Sequence, residues 1–325
     1  MAVDFLIVAA LKDEAAEIAK LLTAKDQEGP YIVGKVQRWK GRGEYRVAIV
    51  NLYDGMGALE AGPATQGAIA DLHPRAVLMT GIAAGFEESR AAVSLGDLMV
   101  PCGIVPYELA KLKGADKENP ADVQHRGLAW AVSESLWRTA ATTADDLEQP
   151  WLAMMTAPHP DGGRPAKINI VADSILGSGE KIVADGEGEG RRWLLAAYPR
   201  QALGLEMESC ASLRACRYFD TPFLVAKASV DKATIEKDDR WRAYACQLSA
   251  AFLLTVIQRY EQPQVELLVR HMRECEGAAA IIAARLPHDD FSYKVRTAVS
   301  FEQLRQGIYE QRGKDIDALI PSSTV

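Results

Sequence analysis

Four carboxylates of the 325-residue chain stand where an apolar run stops: Glu14, Glu206, Glu208 and Asp231. Glu14 follows the run Asp4–Ala10, Glu206 and Glu208 bracket Met207 after the strand-like Ala202–Leu205, and Asp231 closes Phe223–Val230. Open α/β sheets bind ligands outside the carboxyl ends of their strands. Glu14, Glu208 and Asp231 therefore suit an acid/base set. Each also has an ordinary role open to it: Glu14 as a first-turn acid favoured by the helix dipole, Asp231 as an N-cap, Glu208 as a solvated helix residue. Residues two apart do not share a helix face, so Glu206-Met207-Glu208 reads as irregular, with one carboxylate able to reach a ligand. A sugar diol suits it, offering two donors to an acceptor-only group, and Met207 could pack against the sugar face. Gly81-Ile82-Ala83-Ala84-Gly85 supplies small residues at a strand end, where backbone amides can approach a ligand closely.

The elements that must position these residues alternate. The patterns give strands at Asp4–Ala10, Ala76–Thr80, Leu98–Val105, Ile168–Ala172 and Phe223–Val230, and an antiparallel hairpin from Tyr31–Trp39 and Tyr45–Leu52. Helices are expected at Lys12–Leu22, Gly57–Leu72, His125–Ala141, Gly179–Asp185, Met207–Tyr218 and Asp239–Arg259. This order predicts an α/β fold, a mixed central sheet covered by helices on both sides. Lys111–Asp122 and Pro158–Pro165 read as surface loops that could border a site. Gln262-Pro263-Gln264 breaks the pattern, so residues 1–262 form one domain and 263–325 a small helical module for docking or regulation.

Composition narrows the functions. At 48% apolar and 25% charged residues the chain is ordinary globular protein. Lys+Arg at 37 against Asp+Glu at 44 leave a net charge of −7, the wrong sign for wrapping nucleic acid, although a local phosphate pocket stays open. No apolar run approaches the roughly 20 residues that span a bilayer, and the N-terminus meets an acid within four residues without a basic region before it. The expectation is a cytoplasmic protein with no membrane and no nucleic-acid partner. Five scattered cysteines favour free thiols over disulfides, and the five histidines lack ligand spacing, so neither metal nor other cofactor is expected.

The ordered set Ile7–Glu14, Gly55-Met56-Gly57, Thr80–Gly85, Leu95-Gly96-Asp97, Gly177–Lys181, Leu205–Glu208 and Lys227–Asp231 resembles the nucleoside phosphorylase superfamily, and within it the 5′-methylthioadenosine/S-adenosylhomocysteine nucleosidases. Glu236-Lys237-Asp238-Asp239-Arg240-Trp241 with Tyr244 resembles a helix start of superfamily domains associated with bacterial and fungal immune signalling proteins. The resemblance implies cleavage of an N-glycosidic bond, with Asp231 protonating the purine, Glu208 holding the ribose hydroxyls, Met207 beside the sugar and Glu14 activating water. The acid at the first loop, where phosphorylases need a cationic cradle, favours hydrolysis. Ile82 departs from the usual serine near the water, and Lys227 matches a basic position expected to hold Asp231. Gly81, Ala83, Ala84, Lys181, Ile182, Glu206, Lys227 and Arg240 complete the expected substrate-binding set with Met207. The resemblance implies an adenine nucleoside or nucleotide as substrate, with ATP or AMP calling for cations among Lys181, Lys232, Lys237 and Arg240. It also implies a homo-oligomer, a signalling partner for 263–325 and a role in antiviral defence. A housekeeping nucleosidase, a purine nucleoside phosphorylase and an inactive nucleotide-sensing scaffold stand as alternatives.

Overall fold

A computed structural model describes residues 2–41, 43–52, 55–89, 92–114, 122–162, 167–170, 173–183, 188–234 and 238–261. The chain divides into two units, Met1–Tyr260 and Glu261–Val325. The expected module at 263–325 lies outside the described residues, as do Glu236 and Lys237.

In chain order the elements are β1 (Phe5–Ala9), α1 (Lys12–Leu21), β2 (Thr23–Glu28), β3 (Tyr31–Gln37), β4 (Glu44–Asn51), α2 (Ala58–Leu72), β5 (Ala76–Met79), β6 (Ile82–Gly85), β7 (Leu98–Met99) and β8 (Gly103–Pro106). They continue as β9 (Ala110–Lys113), β10 (Asp122–His125), β11 (Trp130–Ala131), α3 (Glu134–Ala144), β12 (Ile168–Asn169), β13 (Ile175–Ser178), α4 (Glu189–Ala197), β14 (Ala202–Glu206), α5 (Ser209–Tyr218), β15 (Phe223–Val225), β16 (Lys227–Asp231) and α6 (Arg240–Arg259). The α/β class expected from the alternation forms, with its strands divided between two mixed sheets. The first runs β15-β5-β1-β4-β3-β2 and the second β11-β8-β13-β14-β6-β16-β7-β12, while β9 and β10 pair as a separate ribbon.

β1 is buried at every residue and pairs in parallel with β4 and β5, which accounts for its unbroken apolar run. α6 is the core helix: Ala245, Leu248, Ala250, Phe252, Leu253, Val256 and Ile257 are at most 1% exposed, and it packs against α1, α3, β3, β6 and β16. Among the described residues no helix is long and apolar enough to cross a membrane.

Two adjacent strands cross from one sheet to the other. β5 and β15 are parallel neighbours in the first sheet, and β6 and β16, which follow them, are parallel neighbours in the second. Ala226 N–H donates to Met79 O at 3.0 Å and Ala228 N–H to Gly81 O at 2.9 Å, which keeps the two crossings in step. The single strand expected at Phe223–Val230 is thus two strands, parted at Ala226. The helix expected at His125–Ala141 begins only at Glu134, because β10 pairs with β9 and β11 with β8. A Cβ at Gly127 would collide with the Pro106 carbonyl. The helix expected at Gly179–Asp185 is absent over 179–183. There Gly179 N–H donates to Glu206 O at 3.1 Å and Glu180 N–H to the Glu108 carboxylate. The helix α4 forms later, where Leu194 is fully buried.

Candidate active site

Glu14 occupies the first turn of α1, one step after β1 ends. Its Oε2 accepts Leu11 N–H at 2.9 Å, which caps the helix. Its Oε1 accepts Ile82 N–H from β6 at 3.0 Å. Gly81, at φ +140°, has no side chain because a Cβ would collide with this carboxylate. Glu14 is 1% exposed. Burial pushes its carboxyl up to about 7, opposed by the Lys227 ammonium and by the two N–H donors and reinforced by Glu208.

Lys227, at the start of β16, is 1% exposed and lies between two acids. Its ammonium is 2.6 Å from Glu208 Oε2 and 2.9 Å from Glu206 Oε2. Burial opposes its charge, and the carboxylates of Glu206, Glu208 and Glu14 overcome that, leaving its pKa above the ordinary lysine value. Glu206 turns back onto the start of α5, accepting N–H groups of Glu208 and Ser209 and the Ser209 hydroxyl at 2.6 Å. Burial raises its pKa, but Lys227 and the hydroxyls of Ser209 and Ser178 hold it below the usual carboxylate range. Glu208 Oε1 accepts Gly57 N–H at 3.0 Å, at the positive end of α2. A Glu-Met-Glu stretch therefore has one acid serving the helix start and one facing the cavity wall, with Met207 half-buried between them.

Asp231 ends β16 opposite Ala84 of β6. Its Oδ1 accepts Ala233 N–H at 2.8 Å, which fixes the carboxyl after the strand. Glu14 is bonded at Ile82 and Asp231 is registered at Ala84, two residues or about 7 Å apart along one strand. A pocket of about 220 Å³ opens here, with Glu14, Glu206, Glu208, Asp231, Met207, Ala83, Ala84, Lys181 and Ile182 in its wall. Among the described residues no cluster of three or more His, Cys, Asp or Glu side chains could hold a metal ion.

Three expected placements differ. Arg240 does not line the pocket; its guanidinium is engaged by Asp238 at 2.6 Å on the surface and lies 3.7 Å from Asp161. Lys227 holds Glu206 and Glu208, not Asp231: it starts β16 opposite Met99 of β7, whereas Asp231 ends that strand four residues on. Lys232 pairs with Glu87 at 2.8 Å and is not in the wall. Leu11 and Met56, from the motifs Ile7–Glu14 and Gly55-Met56-Gly57, also line it, as do Arg242 and Val183, which the sequence reading did not name. Arg242 Nε donates to Asp13 Oδ2 at 2.5 Å.

The chain matches the model of the phosphorylase superfamily over residues 4–258. Two curated relatives named ATP nucleosidase Cap17, from Escherichia coli strain KTE188 and from Escherichia coli, are 24% identical over 264 residues, 78% of this chain and 50% of theirs. The chain thus spans about half the length of the curated relatives it matches. Among solved structures, the 5′-methylthioadenosine/S-adenosylhomocysteine nucleosidase of Neisseria meningitidis, in complex with methylthio-immucillin-A, superposes with a TM-score of 0.58 at 18% identity, covering 78% of this chain and 98% of that one. The Streptococcus pneumoniae 5′-methylthioadenosine/S-adenosylhomocysteine nucleosidase gives 0.60 at 17% identity over 79% and 99%. Futalosine hydrolase of Helicobacter pylori gives 0.55 at 19% identity over 78% and 96%. These superpositions establish a shared fold, and the match that runs from β1 almost to the end of α6 establishes the kinship: the chain belongs to the phosphorylase superfamily.

Proposed function

We propose that the chain hydrolyses the N-glycosidic bond of an adenine nucleoside or nucleotide and releases free adenine. The observation that carries this is the buried Glu14 carboxyl, fixed by two backbone N–H groups and pushed up to about 7, in the same pocket wall as Asp231. A base of that strength takes a proton from water near neutral pH. In this reading water oxygen bonds to C1′ as the C1′–N9 bond breaks, and its electron pair goes to the base. Glu14 takes the water proton and Asp231 supplies one to N7. Glu208, anchored by Lys227 and Gly57, accepts from the ribose hydroxyls, and Met207 packs beside the sugar.

Phosphorolysis is disfavoured by the same geometry. The Ile82 N–H that could receive a phosphate oxygen is already bonded to Glu14, and an anion would meet that carboxylate. ATP as the nucleotide is supported by the relatives named ATP nucleosidase, and methylthioadenosine is the competing reading, supported by the fold neighbours. Chromatography of adenine after incubation with ATP, AMP, adenosine and methylthioadenosine tests the reading. Adenine from at least one of them is expected; none from any would overturn it.

A further inference from the structure

Of the cations expected to serve a phosphorylated substrate, Arg240 and Lys232 are tied to surface acids outside the pocket. Among the described residues the cations in the wall are Lys181 and Arg242. Lys181 is 79% exposed and paired with Glu108 at 3.1 Å. Arg242 is differently held. It stands in the first turn of α6, and its Nε is fixed by Asp13 in the first turn of α1. That single bond uses one donor of five and leaves both Nη groups of a planar fork. No second acid lies within ion-pair distance of Arg242 among the described residues. Arg242, Cys246 and Ser249 follow one another at i, i+4 and i+7, a single stripe of α6. Ser249 Oγ accepts Gly81 N–H at 3.3 Å, so the stripe runs from Arg242 in the pocket wall to the start of β6, where Glu14 is also bonded.

Asp231 marks the base end. Glu14 is bonded at Ile82, two residues along β6 from the Ala84 that faces Asp231, and Arg242 shares the same wall beside Asp13, the residue before Glu14. The N-termini of α1 and α6 both begin at this end, which favours an anion there. Resting on the adenine-nucleosidase reading above, we propose that Arg242 is the specificity-determining residue of that site, binding the 5′-phosphate of an adenine nucleotide with the fork that Asp13 orients. Leu11 and Met56 alongside it would pack on the C5′ end of the sugar.

The test is binding, so that it does not depend on turnover. In an Asp231→Asn background, calorimetric titration of the full chain with ATP and with adenosine should show ATP bound more tightly. Arg242→Ala should reduce the affinity for ATP about 10- to 100-fold, the range of one charge-assisted contact, and the affinity for adenosine far less. Arg242→Lys should restore part of the difference. An equal loss for both ligands would make Arg242 a tie between α1 and α6 and overturn the proposal. So would an ATP preference that survives Arg242→Ala, or absence of any ATP binding. Adenine release from adenosine without an ATP preference would sink this inference and leave the nucleosidase reading standing. An Arg242-dependent ATP preference in a chain that releases no adenine would do the reverse.

Discussion

Replacing Lys227 by methionine removes one charge from a site that holds three acids and keeps most of the volume. The ammonium is 1% exposed and sits 2.6 Å and 2.9 Å from two carboxylates. Breaking a buried pair by removing one partner costs about 3–5 kcal/mol, a large part of the roughly 5–15 kcal/mol that holds a domain together. For a domain of about this size each kcal/mol moves the melting temperature about 2–4 °C. The variant should therefore melt about 6–20 °C lower at pH 8. The deficit depends on pH. In the wild type Glu206 is held below its unfolded value, so its stabilisation is present above that value and fades as pH falls through the folded one. In the variant Glu206 is a buried acid without its cation, and protonation relieves it. The gap between the two proteins should be largest at pH 8 and narrow towards pH 5. Glu14 responds too: Lys227 lowers its pKa, so in the variant it rises above about 7 and the acid limb of the kcat profile moves to higher pH. Circular-dichroism melts from pH 5 to 8 and a kcat profile on one substrate measure both effects. A melting gap that ignores pH, or an acid limb that stays in place, would refute the reasoning.

Three further outcomes follow from the same geometry. Glu14→Gln should lower kcat about 10²–10⁴-fold. Because the folded value near 7 lies above the ordinary glutamate value of 4.5, Glu14 favours the fold below pH 4.5 and loses that contribution as pH rises through 7. The substitution should thus raise stability at pH 8 by up to about 3 kcal/mol and not at pH 4, as read by thermal melts. Asp231→Asn should cost about 10²–10⁴-fold on adenosine and much less on p-nitrophenyl riboside, whose leaving group needs no proton; equal losses in the two rates would remove Asp231 from the acid role. Gly81→Ala puts a Cβ into the Glu14 carboxylate at a positive φ. It should cost roughly 1–3 kcal/mol of stability and displace the base, and unchanged kcat would show that the placement of Glu14 is unimportant.

The sequence showed the strands that are apolar on both faces, β1 and β5, and the acids that follow strand ends, because burial and turn chemistry write those features locally. It hid β2, whose Thr-Ala-Lys-Asp-Gln-Glu run is an exposed edge strand without an apolar pattern, and β13, a four-residue strand containing a glycine. The sheet change at Ala226 was hidden because both halves of Phe223–Val230 are buried, and periodicity cannot say in which sheet. Arg240 was named among the expected cations and Arg242 was not, for a similar reason. On a helix two residues turn the chain about 200°, so of two nearby arginines one faces outward and the other the cavity. The signal lay in the spacing Arg242-Cys246-Ser249, which puts Arg242 on one stripe of α6 with two small buried residues. The role of Lys227 depends on three acids from two segments distant from it and from each other in sequence, Glu14 and the Glu206–Glu208 stretch, which only the fold brings together.

The central claim is that water, activated by Glu14, is the nucleophile. Product analysis after reaction with adenosine, with and without added inorganic phosphate, tests it most directly. Adenine and free ribose should appear in equal amounts, at a rate that phosphate does not raise and that Glu14→Gln lowers about 10²–10⁴-fold. Ribose 1-phosphate formed only when phosphate is present would contradict it.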